Sequence, residues 1–401
     1  MKPIKKIGCR VYQKGFRAAL PVMPYREPTI LESTDDIAKL CVEKGISSII
    51  IVTDKGISSL GLVDDTIAKC EEAGVKVVLY DETVPNPTID NVEAVRKLYL
   101  DNGCQALVGF GGGSSMDCAK GAAARIAKPR QPVEKMAGVL KVLAKLPLLI
   151  AVPTTAGTGS EVTLAAVITD AKTHHKFPIN DFCLIPKYAV HDYRLTVGLP
   201  KSITSTTGMD TLTHAVEAYI GHSTTAHTRT MAEVAVILVK QYLKRAYDEG
   251  TDAEARQSML RAAYCGGIAF TQSYVGYVHA LAHALGGQYG TAHGLANAVI
   301  LPHMLRAYGK SVHKPLAKLA QLISIVPVGV SNSDAADAFI KWVDDMNASM
   351  GIPKYIEGIQ EKDIPQMASN ADAEANPLYP VPREMDVDEL AHMFRVVGNL
   401  V

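Results

Sequence analysis

Four side chains in the C-terminal half of the chain have the types and spacing needed to bind one divalent metal ion: Asp210, His214, His279 and His293. Asp210 and His214 are four positions apart in a segment with helical periodicity, so both should lie on one face. A second helical segment repeats this spacing with His279 and His283. Three imidazoles and one carboxylate leave a coordination position open, which is typical of a catalytic metal site.

Other interpretations of these histidines remain open at the level of the sequence. A single histidine on a helix is more often satisfied by hydrogen bonds than bound to a metal, but His279, His283 and His293 fall within fifteen positions. His283 is a candidate for passing a proton to solvent, because imidazole changes charge near neutral pH. A packing role for His283 is the alternative. Affinity order favours zinc over iron(II) at a site of nitrogen and oxygen ligands, so the metal is undecided.

Length and charge restrict the class of protein. The chain has 401 residues and is 48% hydrophobic, which is enough for two domains with separate cores. Lys and Arg total 41, as do Asp and Glu, so the net charge is zero. This balance argues against nucleic acid or a membrane surface as a partner and favours a neutral small molecule.

The cysteines and the apolar segments indicate a cytoplasmic protein. Seven cysteines, an odd number, are scattered without a Cys-x-x-Cys pair, which favours reduced thiols over a disulfide framework. The basic start of the chain lacks an apolar core of signal-peptide length, so we expect no secretion signal. Apolar stretches are too short to span a bilayer.

Short aliphatic runs alternate with helical patterns in the first half of the chain. Near-continuous aliphatic residues are typical of parallel strands covered on both faces. The predicted strands span residues 49–52, 75–79, 106–110 and 148–152. The predicted crossover helices span residues 63–73 and 89–100, the second capped by Thr88. We therefore predict an α/β domain with a Rossmann-like parallel sheet over residues 1–196.

Amphipathic helical patterns replace the strand signals after about residue 197. The predicted helices span residues 232–247, 252–264, 315–325 and 333–350. An all-α domain is therefore expected over residues 197–401, with the functional site expected between the two domains.

Two polar loops follow neighbouring predicted strands. Residues 111–115, Gly-Gly-Gly-Ser-Ser, lead directly into a helix start, where a glycine-rich backbone and helix amides can bind a pyrophosphate. The loop matches neither the P-loop nor the Gly-x-Gly-x-x-Gly fingerprint, so a plain tight turn is an equal alternative. Residues 153–163 form a second polar loop after the next strand. Loops at the carboxyl ends of parallel strands share the ligand-binding edge of the sheet.

Asp54 follows an earlier predicted strand, where a carboxylate can accept hydrogen bonds from an adenosine ribose. Its charge would oppose the 2′-phosphate of NADP by about 4 kcal/mol at 4 Å and an effective dielectric near ~20, before screening. This favours NAD as the cofactor. A simple helix-capping role for Asp54 is equally compatible with the sequence.

The motifs together resemble the iron-containing (group III) alcohol dehydrogenases, including the lactaldehyde reductase, propanediol dehydrogenase and butanol dehydrogenase members. The resemblance rests on residues 111–117, 153–163, 208–217, 279–283 and 293–294, which occur in the order and at the spacing of the family. It implies a dehydroquinate synthase-like two-domain architecture, NAD(P), iron, and a homodimer or larger assembly. The implied reaction is hydride transfer between NAD(H) and a small primary alcohol, diol or aldehyde.

The resemblance also implies individual roles. Asp210, His214, His279 and His293 would bind the metal, with His283 near the nicotinamide. The implied cofactor residues are Asp54, Gly112, Gly113, Ser114, Asp117, Thr154, Thr155, Thr158, Thr163 and Lys176. Phe270 would wall the substrate pocket. Ala165 departs from the lactaldehyde reductase members, which have asparagine there, and residues 376–382 differ from their shorter Asn-Pro-Arg tail, so the substrate is left open.

Three alternatives remain. A glycerol dehydrogenase-type polyol oxidoreductase differs only in substrate. A metal- and NAD-dependent lyase of the dehydroquinate synthase kind needs Lys or Arg for an anionic substrate, yet residues 206–219 and 266–301 contain neither. A non-catalytic NAD-binding protein would require a fully coordinated metal.

Overall fold

The computed structural model describes residues 3–173 and 175–401 and divides into two compact units. The first unit is Pro24–Gly198. The second comprises Leu199–Val401 together with the N-terminal helix α1, Pro3–Ala19, and the residues that follow it to Met23.

Helix α1 departs from the domain limits predicted from the sequence, which placed it with residues 1–196. The Arg10 guanidinium donates to the carbonyl oxygen of Val381 at 2.8 Å, and the Gln13 amide donates to that of Tyr379 at the same distance. Phe16 meets Tyr274 edge to face, with ring centroids 4.9 Å apart. These partners lie more than 250 positions away along the chain, which is why local patterns did not reveal them.

A six-stranded parallel sheet forms the centre of the first unit. This sheet and a smaller one are built from the following strands: β1 Thr29–Leu31, β2 Ser48–Val52, β3 Lys76–Tyr80, β4 Ala106–Gly111, β5 Gly138–Val139, β6 Leu148–Pro153, β7 Ala165–Asp170, β8 His175–Asn180 and β9 Tyr188–Val190. The large sheet has the order β1-β9-β6-β4-β2-β3. A smaller sheet has the order β5-β8-β7, with β7 and β8 antiparallel.

In the described part of the first unit, five α-helices accompany these strands. They are α2 Asp35–Glu43, α3 Lys55–Ser59, α4 Asp64–Glu72, α5 Ile89–Asp101 and α6 Gly113–Ala127. All five residues of β2 are buried, which agrees with its aliphatic sequence. The strands predicted at 49–52, 75–79, 106–110 and 148–152 are confirmed as β2, β3, β4 and β6. Thr88 caps α5 in a capping box with Asn91, as its position predicted.

The described part of the second unit consists of helices and connecting segments, and the all-α prediction is confirmed for it. The helices after α1 are α7 Lys201–Ile220, α8 Ala226–Asp248, α9 Ala253–Ser273, α10 Tyr277–Tyr289, α11 His293–Tyr308, α12 Lys310–Leu322, α13 Asn332–Ser349, α14 Ile364–Ala375 and α15 Val387–Val397. The sequence pattern placed the start of α12 at Pro315. The helix instead begins at Lys310, and this proline lies inside it. Among the described residues, no helix is long and apolar enough to cross a membrane.

Candidate metal and nucleotide sites

Three helices bring the four predicted metal ligands together in the second unit. Asp210 and His214 lie on α7, His279 on α10, and His293 is the first residue of α11. One ligand atom from each residue lies within 4.8 Å of all the others. Asp210 Oδ1 is 4.0, 3.9 and 3.6 Å from the Nε2 atoms of His214, His279 and His293.

The chemistry of this cluster fits a divalent cation. Asp210, His214 and His279 are buried, whereas the side chain of His293 is 35% exposed. Nitrogen and oxygen donors of this kind suit iron(II) and zinc. Partial exposure of one ligand leaves the cluster accessible to a small molecule on that side.

Glu217 orients the proposed ligand His279 through a hydrogen bond. Its Oε2 lies 2.6 Å from His279 Nδ1 and 2.9 Å from the Gly276 amide, and its Oε1 lies 2.8 Å from the Val278 amide. A carboxylate oxygen accepts, so His279 carries its proton on Nδ1 and directs the Nε2 lone pair toward the cluster. Burial raises the pKa of Glu217, and the hydrogen bonds from Gly276, Val278 and His279 lower it.

Gly276 is required by this arrangement. A Cβ atom at position 276 would lie 2.6 Å from Glu217 Oε1, closer than any side chain tolerates. The glycine that precedes α10 therefore lets the backbone amides of residues 276 and 278 reach the carboxylate.

Two aromatic neighbours surround the ligand rings. Phe270, at the end of α9, stacks on His214 with ring centroids 4.1 Å apart and planes inclined by 15°. His283 stacks on His293 at 5.2 Å. The structure thus brings the predicted pocket residue Phe270 and the predicted relay residue His283 into contact with ligand rings.

His283 belongs to a hydrogen-bonded chain that the sequence did not reveal. Its Nδ1 lies 2.7 Å from Glu374 Oε1, and the Tyr379 hydroxyl donates to the same oxygen at 2.6 Å. Glu374 lies on α14, and Tyr379 lies in the segment that follows this helix. The imidazole is therefore oriented by a carboxylate, with its Nε2 directed away from that partner.

The first unit contains the predicted nucleotide-binding loop. Gly111 ends β4 with φ +149°, and a Cβ there would lie 2.6 Å from Ser115 Oγ, so only glycine fits. Gly112 is the N-cap of α6, and Gly113 is its first residue. A Cβ at Gly113 would lie 3.1 Å from Thr158 Cγ2.

The second polar loop lies against the first. The Thr154 amide donates to the Gly111 carbonyl oxygen at 3.0 Å, and the nearest atom to a Cβ at Gly112 would be Thr155 Oγ1, at 3.8 Å. The prediction that these loops share one edge of the sheet is confirmed. The helix amides of α6 and the threonine hydroxyls thus converge where a pyrophosphate could bind.

Lys120 holds this second loop in place, and sequence reasoning missed it. The fully buried Nζ donates to the carbonyl oxygens of Ser160, Thr163 and Ala165 at 2.6, 3.1 and 2.9 Å, and to the hydroxyls of Ser160 and Thr163. Burial lowers the pKa of Lys120 to about 8. Thr163 and Ala165, predicted to face cofactor and substrate, are anchored through their backbones by this lysine.

Other predicted cofactor residues lie around the same loops. Asp117 accepts hydrogen bonds from Ser160 Oγ at 2.8 Å and from the Val167 amide at 3.0 Å. Lys176 Nζ donates to Asn86 Oδ1 at 2.8 Å, and the backbone amide of Asn86 in turn donates to Ser114 Oγ. The structure therefore brings Ser114 and Lys176 to the two sides of one asparagine.

Asp54 has the capping role that the sequence left open as an alternative. Its Oδ1 accepts from the Ile57 amide at 3.1 Å at the start of α3, and its Oδ2 accepts from Ser115 Oγ at 3.4 Å. The second contact places its charge beside the glycine loop. Capping and contact with a ribose are compatible, because the two oxygens face different groups.

The chain belongs to the iron-containing alcohol dehydrogenase family. Residues 31–193 match the family model for iron-containing alcohol dehydrogenase, and residues 204–397 match that for the C-terminal part of the Fe-containing alcohol dehydrogenase family. The resemblance carried by the sequence motifs is confirmed. The protein is an alcohol or aldehyde oxidoreductase.

Individual relatives agree with this assignment. A 1,3-propanediol dehydrogenase of Citrobacter freundii is 37% identical over 363 residues, which cover 90% of this chain and 93% of that protein. An NAD-dependent methanol dehydrogenase of Bacillus methanolicus is 36% identical, covering 82% of this chain and 86% of that protein. The crystal structure of a 1,3-propanediol oxidoreductase matches with a TM-score of 0.89 and 35% identity, over 93% of this chain and 99% of that one.

Proposed function

We propose that the protein is an NAD-dependent, iron-containing dehydrogenase that interconverts small primary alcohols or diols and their aldehydes. The observation that carries this proposal is the convergence of Asp210, His214, His279 and His293 within 4.8 Å. A set of three imidazoles and one carboxylate is typical of a catalytic metal site with room for substrate.

The four residues would hold the cation, and Glu217 would keep His279 in the ligating tautomer. When bound, the cation serves as a Lewis acid that polarises the substrate oxygen. Iron is proposed because the chain belongs to the iron-containing family, and zinc is the alternative that the same ligands allow.

The first unit would bind NAD through residues 111–114 and the threonines of the second loop. When bound, the nicotinamide ring gives or accepts the hydride. Asp54 favours NAD over NADP. Its Oδ2 accepts a hydrogen bond from Ser115 Oγ, so its negative charge lies beside the glycine loop and would oppose a 2′-phosphate. The relative from Bacillus methanolicus, which is NAD-dependent, agrees with this choice.

A small neutral substrate is favoured by the surroundings of the metal ligands. Residues 206–219 and 266–301 contain no Lys or Arg, so those segments offer no cation for a phosphate or carboxylate group. Phe270 covers His214 with an aromatic face. The relatives named for 1,3-propanediol and methanol act on substrates of this kind.

His283 would pass the substrate proton toward solvent. Its side chain is 31% exposed, and Glu374 orients the ring through Nδ1. Imidazole suits this role because it can both accept and donate a proton.

We further propose a cytoplasmic homodimer. All seven cysteines are free thiols, which agrees with a reducing compartment. The assembly rests on family membership, and light scattering after gel filtration would measure it. A mass of one chain, 43.0 kDa, would contradict the dimer.

Anaerobic reconstitution tests the proposed reaction. Metal-free protein is loaded with Fe²⁺ or with Zn²⁺, and NADH or NADPH oxidation is then followed with a panel of short aldehydes, hydroxyaldehydes and anionic aldehydes. We expect turnover with Fe²⁺, NADH and neutral aldehydes of a few carbons. Equal turnover by the metal-free protein, or turnover restricted to anionic substrates, would contradict the proposal.

A further inference from the structure

Asn297 lies among the metal ligands although its sequence position suggests only a buried helix residue. It is four positions after His293 on α11, on the same face of the helix, and it is fully buried. Its Nδ2 lies 2.7 Å from Asp210 Oδ1, 3.2 Å from His279 Nε2 and 3.1 Å from His293 Nε2. One amide group therefore contacts ligand atoms that come from three different helices.

The direction of the amide is decided by the chemistry of these three atoms. The Asp210 oxygen is an acceptor, and His279 presents a lone pair at Nε2 because its Nδ1 proton is directed at Glu217. Only the NH₂ end of Asn297 can satisfy such neighbours. Its Oδ1, in contrast, is buried and has no hydrogen-bond partner among the described residues. The side chain is thus held by the ligand cluster and not by its carbonyl oxygen.

We propose that Asn297 is a positioning residue of the metal centre, which holds the Asp210 carboxylate in its ligating orientation and thereby sets metal affinity. A carboxylate oxygen has two lone pairs, so Asp210 Oδ1 can accept from Asn297 and still offer a lone pair to a cation. Partners of this kind change metal affinity by about 10- to 100-fold when removed. The inference rests on the proposed metal-dependent function but concerns metal binding, which is measurable without turnover.

Asn347 provides a matched control in the same unit. It is also a buried asparagine, its Nδ2 donates to the Ala298 carbonyl oxygen of α11 at 2.7 Å, and its Oδ1 also lacks a hydrogen-bond partner among the described residues. It differs from Asn297 in its partner, which is a backbone carbonyl and not a metal ligand. Leucine keeps the Cγ-branched shape of asparagine but is larger, so Asn297→Leu and Asn347→Leu remove the amide and add the same volume at both buried positions.

The test is a competition titration of the metal-free full chain with Zn²⁺ against a chromophoric chelator, repeated with Fe²⁺ under anaerobic conditions. We expect Asn297→Leu to bind both metals about 10- to 100-fold more weakly than the wild type. Asn347→Leu should remain within about threefold. Affinity of a folded Asn297→Leu protein within threefold of the wild type would overturn the proposal, as would equal weakening in both variants.

A second variant covers the case in which Asn297→Leu does not fold. Asn297→Ala removes the amide without adding volume, and the same 10- to 100-fold weakening is expected. The outcome is separable from that of the proposed reaction. A wild-type protein that binds metal in an Asn297-dependent way yet reduces no aldehyde supports this inference and refutes the dehydrogenase proposal, whereas an active enzyme with Asn297-independent affinity does the reverse.

Discussion

His279 and Glu217 meet at 2.6 Å between Nδ1 and Oε2, deep in the helical unit. Glu217 is one helical turn after His214, on the face of α7 that also carries Asp210. The same helix therefore supplies two proposed ligands and the carboxylate that orients a third. This arrangement makes the geometry of His279 depend on α7 as well as on its own helix.

Glu217→Gln should weaken metal binding about 10- to 100-fold. Glutamine preserves the shape, but only one of its two terminal groups is an acceptor, so it cannot accept from both His279 Nδ1 and the Val278 backbone amide. The measurement is the chelator-competition titration on metal-free protein. Glu254→Gln, an exposed substitution on α9, serves as the control and should leave the affinity unchanged. Unchanged affinity in a folded Glu217→Gln protein would show that His279 does not need this carboxylate.

Asp210→Ala should abolish both metal retention and turnover. Loss of the one anionic ligand removes the cation. The transition state then loses several kcal/mol of stabilisation, which corresponds to a drop of about 10³-fold or more in kcat. NADH affinity, measured by fluorescence, should be unaffected, because the glycine loop belongs to the other unit. Asp345→Ala is an exposed control on α13. A metal-depleted variant with wild-type turnover would refute the proposed role of the cluster.

Asp54→Ser should raise the use of NADPH relative to NADH. Serine can still cap α3, so the substitution removes charge while keeping the hydrogen bond to the Ile57 amide. Because Asp54 is half-buried and screened, we expect a shift of about tenfold in the ratio of kcat/KM values, below the unscreened limit. Asp54→Ala removes the helix cap as well as the charge, so its difference from Asp54→Ser measures the effect of the cap on folding. A ratio unchanged by either substitution would leave Asp54 with the capping role alone.

His283→Asn should lower kcat about 10²-fold and alter the pH-rate profile, because asparagine cannot carry the proton. Glu374→Gln should lower kcat less, since the imidazole remains but loses the acceptor that orients it. Both effects are measured as pH-rate profiles with a saturating aldehyde. A profile unmoved by His283→Asn would assign this residue to packing against His293.

Much of the fold and of the site was predictable because it is encoded locally. The buried strands are recognisable as aliphatic runs. The ligand pair Asp210 and His214 on α7, and the pair of His279 and His283 on α10, are recognisable by a spacing of four. Glu217 and Asn297 have similar local signals, since each follows a ligand by one helical turn on the same face. Glu374 had none, because it lies 91 positions from His283 and meets it only through tertiary packing. Lys120 likewise has no local signal, because the five oxygen atoms that its Nζ contacts belong to residues 40 to 45 positions further along the chain.

His191 is buried in the first unit, with its Nε2 3.9 Å from Glu161 Oε1. Burial lowers the pKa of His191 to about 4 from an ordinary value of 6.5. Below pH 6.5 the unfolded chain binds this proton and the native protein does not. The free energy of unfolding should therefore fall as pH falls from 6.5 toward 4, by about 3 kcal/mol from this residue.

Glu161 acts in the opposite direction, because burial raises its pKa to about 7 from 4.5, and its contribution to stability is lost as pH rises through that interval. The two effects oppose each other in the wild type, so the comparison with His191→Gln isolates the histidine. Urea unfolding at several pH values between 4.5 and 7.5 should show that the variant gains stability relative to the wild type as the solution becomes more acidic. A difference between the two proteins that does not vary with pH would mean that His191 titrates alike in the native and unfolded states.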